Sequence, residues 1–130
     1  MANRTQSVKA FGQSFWLDNI HRREIHDGTI KRLIDDDGIS GITSNPTIFM
    51  KAVSSGNDYD AQISTLAQQG KNARAIYYQI TIDDIREAGN LLRPVFEHTN
   101  GEDGFVSIEL NPQHVPGRQR RPRHLLPHHP

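Results

Sequence analysis

Short strand-like segments alternate with longer helical stretches along this chain, and the alternation limits the folds that it can adopt. The strand-like segments are residues 14–17, 39–43 and 105–110, each rich in apolar, aromatic or β-branched side chains. Neighbouring parallel strands must be joined by crossovers, which are usually helices. The sequence therefore predicts an α/β fold with a parallel sheet.

Residues that begin or end helices mark the stretches between these strands. Gly38 is suited to the left-handed conformation that closes a helix, and apolar residues at helical spacing precede it, namely Ile30, Leu33 and Ile34. Pro46 is suited to the first turn of the next helix. A further helix is predicted to be capped by Asn57 or Asp58 and to end at Gly70.

Two more helices are predicted before the third strand, over residues 73–78 and 83–98. The second has Thr81 as its predicted cap and one apolar stripe with a helical period, formed by Ile82, Ile85, Ala88, Leu92 and Val95. Asp83 and Asp84 then fall in its first turn, where the helix dipole favours negative charge.

The composition excludes several classes of function. The chain of 130 residues contains no cysteine, which excludes disulfides, thiolate catalysis and cysteine-bound metals. No apolar run is long enough to cross a bilayer, and the first six residues lack the apolar core of a secretory signal. We therefore expect a cytoplasmic protein that does not associate with membranes.

Residues 113–130 differ from the rest of the chain and are treated as a separate segment. They hold 4 of the 15 Lys and Arg residues and no acid, so residues 1–112 carry 11 basic against 15 acidic side chains. This tail is rich in Arg, Pro and His and has no periodic apolar pattern, so we predict that it is disordered.

A polar residue stands at or just beyond the carboxyl end of each predicted strand: Asp18, Asn45 and Glu109. In a β/α barrel the loops at that edge surround one pocket, and two carboxylates with an amide are able to orient hydroxyl groups and move protons there. Each residue also has a structural explanation, as a turn residue, a helix cap and a solvated strand end, respectively.

Several motifs resemble those of bacterial transaldolases over about residues 9–112. The segment Gly-Ile-Thr-Ser-Asn-Pro-Thr-Ile-Phe at positions 41–49 matches the signature of that family at the second barrel strand. Gln-Ser-Phe-Trp-Leu-Asp-Asn-Ile at positions 13–20 and Asp-Gly-Phe-Val-Ser-Ile-Glu at positions 103–109 resemble the family around the first and third strands.

The resemblance implies a (β/α)₈ TIM barrel of the class I aldolase type, of which residues 1–112 hold about the first three β/α units. Such enzymes transfer a dihydroxyacetone unit from sedoheptulose 7-phosphate to glyceraldehyde 3-phosphate, which gives erythrose 4-phosphate and fructose 6-phosphate in the pentose phosphate pathway. The reaction proceeds through a Schiff base on a lysine and needs no metal or organic cofactor.

The resemblance also implies roles for particular residues. Asp18 matches the aspartate that binds substrate hydroxyls and assists proton transfer, and Glu109 matches the glutamate that acts through a water as acid or base. Asn45 matches the asparagine that holds the dihydroxyacetone portion, with Thr43 and Ser44 beside it as substrate-binding residues.

The Schiff-base lysine of the family lies on the fourth strand, which is not found in this sequence. The available lysines are predicted to fall on a terminus, helices or loops: Lys9, Lys31, Lys51 and Lys71. We therefore expect a truncated, inactive form of the enzyme. The Arg-, Pro- and His-rich tail, residues 113–130, begins where a helix is expected, which suggests a frameshift as its origin.

The alternative is a noncatalytic fragment whose basic tail binds nucleic acid or a partner protein. Arginines between positions 118 and 123 are able to contact phosphates by charge alone, but aromatic residues for base stacking are absent there. Nucleic-acid binding is therefore disfavoured. A metal site made by His124, His128 and His129 is also disfavoured, because Pro127 interrupts the helix that would align them.

Overall fold

The structure is a computed structural model that describes residues 4–109. Strands and helices alternate along this span, as the sequence predicts. The elements follow in the order α1 (Arg4–Lys9), β1 (Phe15–Leu17), α2 (Arg22–His26), α3 (Thr29–Asp37), β2 (Ile39–Ser44), α4 (Pro46–Ser54), α5 (Asp60–Gln68), α6 (Ala73–His98) and β3 (Phe105–Ile108). The predicted disordered tail, residues 113–130, lies outside the described residues.

The three strands form one parallel sheet in the order β1-β2-β3, which confirms the predicted α/β fold. Ile42 at the centre pairs with Leu17 on one side and with Val106 on the other. These three side chains pack in one core with residues of α2, α3 and α6, including Ile25, Ile30, Ile34, Ala88 and Leu92. Helices therefore cover one face of the sheet.

A second core lies between α4, α5 and α6. Phe49 is at its centre and makes edge-to-face ring contacts with Tyr59 and Tyr77, at centroid distances of 5.8 and 5.6 Å. Buried aliphatic residues from the helices complete it, namely Ala52, Leu66, Ile76 and Ile80. Since α6 contributes to both cores, it joins the sheet to the α4–α5 pair.

The two helices predicted over residues 73–78 and 83–98 form one continuous helix, α6, so the predicted cap at Thr81 is wrong. The Thr81 hydroxyl instead donates to the carbonyl of Tyr77 in the preceding turn, at 2.7 Å. Ile82, predicted to be on the apolar stripe, is 46% exposed. The buried stripe repeats every four residues and consists of Ile76, Ile80, Asp84, Ala88 and Leu92.

One predicted helix cap, at the end of α3, is confirmed, and another, at the start of α5, is wrong. Gly38 closes α3 with a left-handed φ of 73°, as predicted. The capping position of α5 is Tyr59, which makes no side-chain cap bond, so the cap predicted at Asn57 or Asp58 is wrong. Asp58 instead pairs with Arg23 of α2 at 2.9 Å.

Replacement of Asn72 by alanine is expected to lower the free energy of unfolding by about 1 kcal/mol. The Asn72 side chain caps α6 by accepting a hydrogen bond from the backbone N–H of Ala75 at 2.9 Å. Asn57→Ala is the matched control, because Asn57 is exposed and forms no helix cap. Urea unfolding of both variants measures the difference, and equal losses would contradict the capping role.

Candidate functional site

The face of the sheet away from the helices carries a polar cluster at the carboxyl ends of β1 and β2. Successive side chains of a strand point to opposite faces, so Thr43 lies on the face opposite to Ile42. The Thr43 hydroxyl donates a hydrogen bond to the Asp18 carboxylate, which follows β1. Asp18 and Thr43, both predicted site residues, therefore meet at this edge.

Asn45 joins the same cluster, and its side chain has two functions. Its Nδ2 donates to Oδ2 of Asp18 at 3.4 Å. Its Oδ1 accepts hydrogen bonds from the backbone N–H groups of Thr47 and Ile48, at 3.0 and 3.4 Å, which caps α4. The structural and functional interpretations of Asn45 are thus compatible, because the cap fixes the amide beside Asp18.

Ser44 and Glu109 are placed differently from these three residues. Ser44 is buried and lies on the helix-covered face, since it alternates with Thr43 along β2. Glu109 is exposed and directly follows β3, where it lines a groove with Ser44 and Tyr78. The register pairs Thr43 with Ser107, so the position of Glu109 is level with Asn45 at the same edge of the sheet.

This arrangement suits the recognition of a polyhydroxylated molecule. Asp18 supplies only acceptor atoms when ionised, Thr43 supplies a donor and an acceptor, and Asn45 supplies an amide. Asp18 is exposed, so its carboxylate is open to a ligand on the sheet face. Among residues 4–109, no group of three His, Asp or Glu side chains is arranged to hold a metal ion.

Trp16 lies on the same face, one side-chain row before Asp18, and its ring occupies the space that the absent side chain of Gly41 leaves. The two residues are paired across β1 and β2. A Cβ atom at position 41 would lie 2.3 Å from Cε2 of the indole and 2.4 Å from Cδ2. Glycine is therefore required at this point of β2 by the close approach of an aromatic ring.

Gly41→Ala is expected to lower the free energy of unfolding by about 1–3 kcal/mol, because the new methyl group overlaps the Trp16 ring and forces it to move. Gly89→Ala is the matched control, since a Cβ there meets nothing within 4 Å and α6 gains helix propensity. Thermal unfolding followed by circular dichroism compares the two. A Gly41→Ala chain as stable as the Gly89→Ala chain would contradict the packing described.

All four lysines of the sequence lie within the described residues, and all four are exposed: Lys9, Lys31, Lys51 and Lys71. Lys9 ends α1, Lys31 is in α3 and Lys51 is in α4, while Lys71 lies in the connection before α6. A Schiff-base lysine needs a lowered pKa, which burial or a neighbouring cation supplies. Exposed positions on helices and loops do not provide that burial.

A buried ion pair joins Arg22 of α2 to Asp84 of α6, and the sequence patterns did not predict it. Asp84 of α6 is fully buried and accepts from Nε and Nη2 of Arg22 at 2.8 and 2.7 Å. The Tyr59 hydroxyl donates to its other oxygen at 2.8 Å, and the Arg22 guanidinium stacks over the Tyr59 ring at 4.3 Å. Burial raises the pKa of Asp84 and that of Tyr59 above their ordinary values.

This ion pair fixes the chain that follows Asp18. Asn19 donates to the Glu24 carboxylate at 2.6 Å, Ile20 is buried in the sheet core, and Arg22 is held by Asp84. The backbone N–H of Arg22 also donates to the Tyr59 hydroxyl at 3.2 Å. The segment between β1 and α2, which directly follows Asp18, is therefore anchored at Asn19, Ile20 and Arg22.

Comparison with known proteins places the chain in a family. The family model described as transaldolase/fructose-6-phosphate aldolase matches residues 15–125, and the chain belongs to this family. The parallel sheet of β1, β2 and β3 is accordingly part of a TIM barrel of the aldolase type, as predicted. The matched range extends beyond residue 112, into the segment that the composition sets apart.

Curated relatives of the chain are transaldolases. The transaldolase of Mycobacterium ulcerans is 43% identical over 107 residues, which cover 82% of this chain and 29% of that protein. Transaldolase 2 of Nostoc punctiforme is 44% identical over 110 residues, covering 85% of this chain and 29% of that protein. Transaldolase 2 of Streptomyces avermitilis is 41% identical over 113 residues, which cover 87% of this chain and 30% of that protein. The chain thus spans about 30% of the length of these relatives.

The family model and the names of these relatives confirm the predicted resemblance to transaldolases. Within residues 4–109, no helix is both long and apolar enough to span a membrane.

Proposed function

We propose that this chain supplies the first part of a transaldolase active site. The reaction transfers a dihydroxyacetone unit from sedoheptulose 7-phosphate to glyceraldehyde 3-phosphate through a Schiff base, within the pentose phosphate pathway. Family membership supports the class of enzyme. The proposal includes a cytoplasmic location, since a chain without cysteine needs no oxidising compartment.

The observation that carries this proposal is the hydrogen-bonded contact of Asp18 with Thr43 and Asn45 at the ends of adjacent parallel strands. In β/α barrels, catalytic and binding groups come from the ends of several strands at this edge. Asp18 binds substrate hydroxyls and assists proton transfer at the cleaved carbon–carbon bond. Asn45 and Thr43 hold the hydroxyl groups of the dihydroxyacetone portion.

Glu109 completes the proposed set from the end of β3. It acts through a water as acid or base while the Schiff base forms and hydrolyses, a role that requires the carboxylate to reach the reacting atoms directly or through one water. Ser44 lies on the opposite face of the sheet, so its predicted contact with substrate is not part of this proposal.

Residues 4–109 contain lysines, but none of them lies in an environment that suits the amine nucleophile. The four lysines of the chain are exposed, so none is expected to react with a ketose at a useful rate. We propose that the chain alone is inactive. In the proposed enzyme, barrel strands outside residues 4–109 provide the lysine and the remaining groups that bind the sugar phosphates.

Borohydride trapping with fructose 6-phosphate tests this proposal. The chain of 130 residues is expected to form no covalent adduct. A hybrid barrel, made of residues 15–109 of this chain followed by the remainder of the Mycobacterium ulcerans transaldolase, is expected to form one and to turn over sedoheptulose 7-phosphate. The intact relative serves as the positive control for trapping.

Two results would contradict the proposal. An adduct on the chain alone, located by peptide mass spectrometry on any of its lysines, would mean that the nucleophile lies within this segment. A hybrid that folds with the far-ultraviolet dichroism of the intact relative but forms no adduct would mean that residues 15–109 do not build a transaldolase site.

A further inference from the structure

The indole of Trp16 remains partly open although it packs closely against β2. It is 41% exposed, and the backbone of Gly41 lies directly against the fused bond of its two rings. Its position on β1 places it on the same sheet face as Asp18, two residues away. A strand rises about 3.3 Å per residue, so the Cα atoms of Trp16 and Asp18 are separated by about 6–7 Å along the strand.

That separation corresponds to the size of a short sugar chain. A three-carbon unit with its hydroxyl groups at Asp18 and Asn45 has its carbon-bound hydrogens left to contact another surface. The face of an aromatic ring carries partial negative charge and attracts weakly positive hydrogens, while it offers no partner to a hydroxyl oxygen. Small-molecule sites in proteins commonly combine such an apolar surface with a few polar groups.

We propose that Trp16 is a substrate-contacting residue that forms the floor of the ketose site and binds the C–H face of the sugar. Gly41 is the positioning residue for it, because any larger side chain there would displace the indole. The inference rests on the proposed function, and it adds an apolar recognition element to the hydroxyl-binding residues.

Tryptophan fluorescence tests this role directly, because Trp16 is the single tryptophan of the chain. Titration of the 130-residue chain with fructose 6-phosphate is expected to change its emission in a saturable way, whereas inorganic phosphate is expected to have no effect. Saturation-transfer NMR of the sugar protons measures binding independently of the fluorescence. The carbon-bound protons are expected to receive more saturation than those of a control sugar that does not bind.

Substitutions separate a substrate contact from a purely structural role. Trp16→Leu is expected to weaken the binding of fructose 6-phosphate about fivefold, and Trp16→Phe to preserve it within about twofold, because only the latter keeps an aromatic face. Phe11→Leu is the matched control, since Phe11 is an aromatic residue that is 81% exposed and precedes β1. Circular dichroism verifies that each variant is folded.

The outcomes distinguish this inference from the proposed function. Sugar binding with unchanged Trp16 emission, or with equal affinity in Trp16→Leu, would overturn the inference and leave the proposed site in place. If the unmodified chain shows no saturation transfer to fructose 6-phosphate, the same measurement is made on the hybrid barrel and its Trp16→Leu variant. Absence of saturation transfer from the hybrid barrel as well would overturn both the inference and the proposed function. A saturable emission change together with weaker binding by Trp16→Leu alone would support the inference.

Discussion

Replacement of Asp84 by alanine is expected to lower the free energy of unfolding by about 3–5 kcal/mol. Asp84 is fully buried, and the Arg22 side chain that it binds is only 12% exposed. Removal of the carboxylate leaves the guanidinium without its partner in a site from which water is largely excluded. Leaving a charge buried without a partner costs far more free energy than breaking an exposed ion pair. Urea unfolding monitored by circular dichroism measures the effect.

The neighbouring residue provides the control for this measurement. Asp83 pairs with Arg86 at 3.2 Å, but the Arg86 side chain is largely exposed. Asp83 also accepts a hydrogen bond from Gln62 at 2.7 Å, so Asp83→Ala is expected to cost about 1–2 kcal/mol. Tyr59→Phe, which keeps the ring but removes the hydroxyl, is expected to cost about 1–2 kcal/mol. Equal losses for Asp83→Ala and Asp84→Ala would contradict the role of the buried ion pair.

Glu109→Gln in the hybrid barrel is expected to lower kcat by about 10²–10⁴-fold, the usual contribution of a general acid–base group. Glutamine keeps the size of the side chain but does not accept or release a proton. If Glu109 acts during formation and hydrolysis of the Schiff base, borohydride trapping of the intermediate is expected to slow in parallel. Steady-state turnover of sedoheptulose 7-phosphate and the rate of trapping measure the two effects.

A second glutamate close to β3 controls for the loss of charge. Glu102 is exposed in the loop before the strand, so Glu102→Gln is expected to leave kcat within about twofold of the unmodified hybrid. Asp18→Asn is expected to reduce kcat by a factor in the same range as Glu109→Gln, since it removes the carboxylate that Thr43 contacts. A Glu109→Gln hybrid with full activity would remove Glu109 from the proposed mechanism.

The sequence predicts the parallel sheet and the meeting of Asp18 with Asn45 because both follow from local patterns. Gly38 ends the helix before β2 and Pro46 begins the helix after it, each because of its own backbone preference. The carboxyl ends of adjacent parallel strands necessarily lie at one edge of the sheet. Asn45 follows one such strand and Asp18 the other. Their proximity, unlike their chemical role, requires no knowledge of distant contacts.

The buried role of Asp84 is not predicted because it depends on the length of α6. Thr81 followed by two aspartates has the composition of a helix start, but extending an existing helix costs much less than beginning a new one. The helix therefore continues through these residues, and Asp84 falls on the series of buried positions at four-residue intervals. That interval, counted from Ile76 to Leu92, is the signal in the sequence that identifies its position.

The contacts of Ser44 and Trp16 required the strand register. The sequence motif places Thr43, Ser44 and Asn45 next to one another. In a strand, however, successive side chains point to opposite faces of the sheet. Ser44 is buried on the helix side as a result. The close contact of Trp16 with Gly41 depends on the alignment of β1 with β2, which includes an irregularity between Phe15 and Trp16.

The length of α6 has a consequence for how this part of the chain unfolds. Its 26 residues extend about 39 Å, and its buried positions belong to both cores. Neither core is able to lose its packing without exposing part of the same helix. We therefore expect the sheet and the α4–α5 pair to unfold as one cooperative unit, because the helix that opens at one core is also held by its contacts in the other.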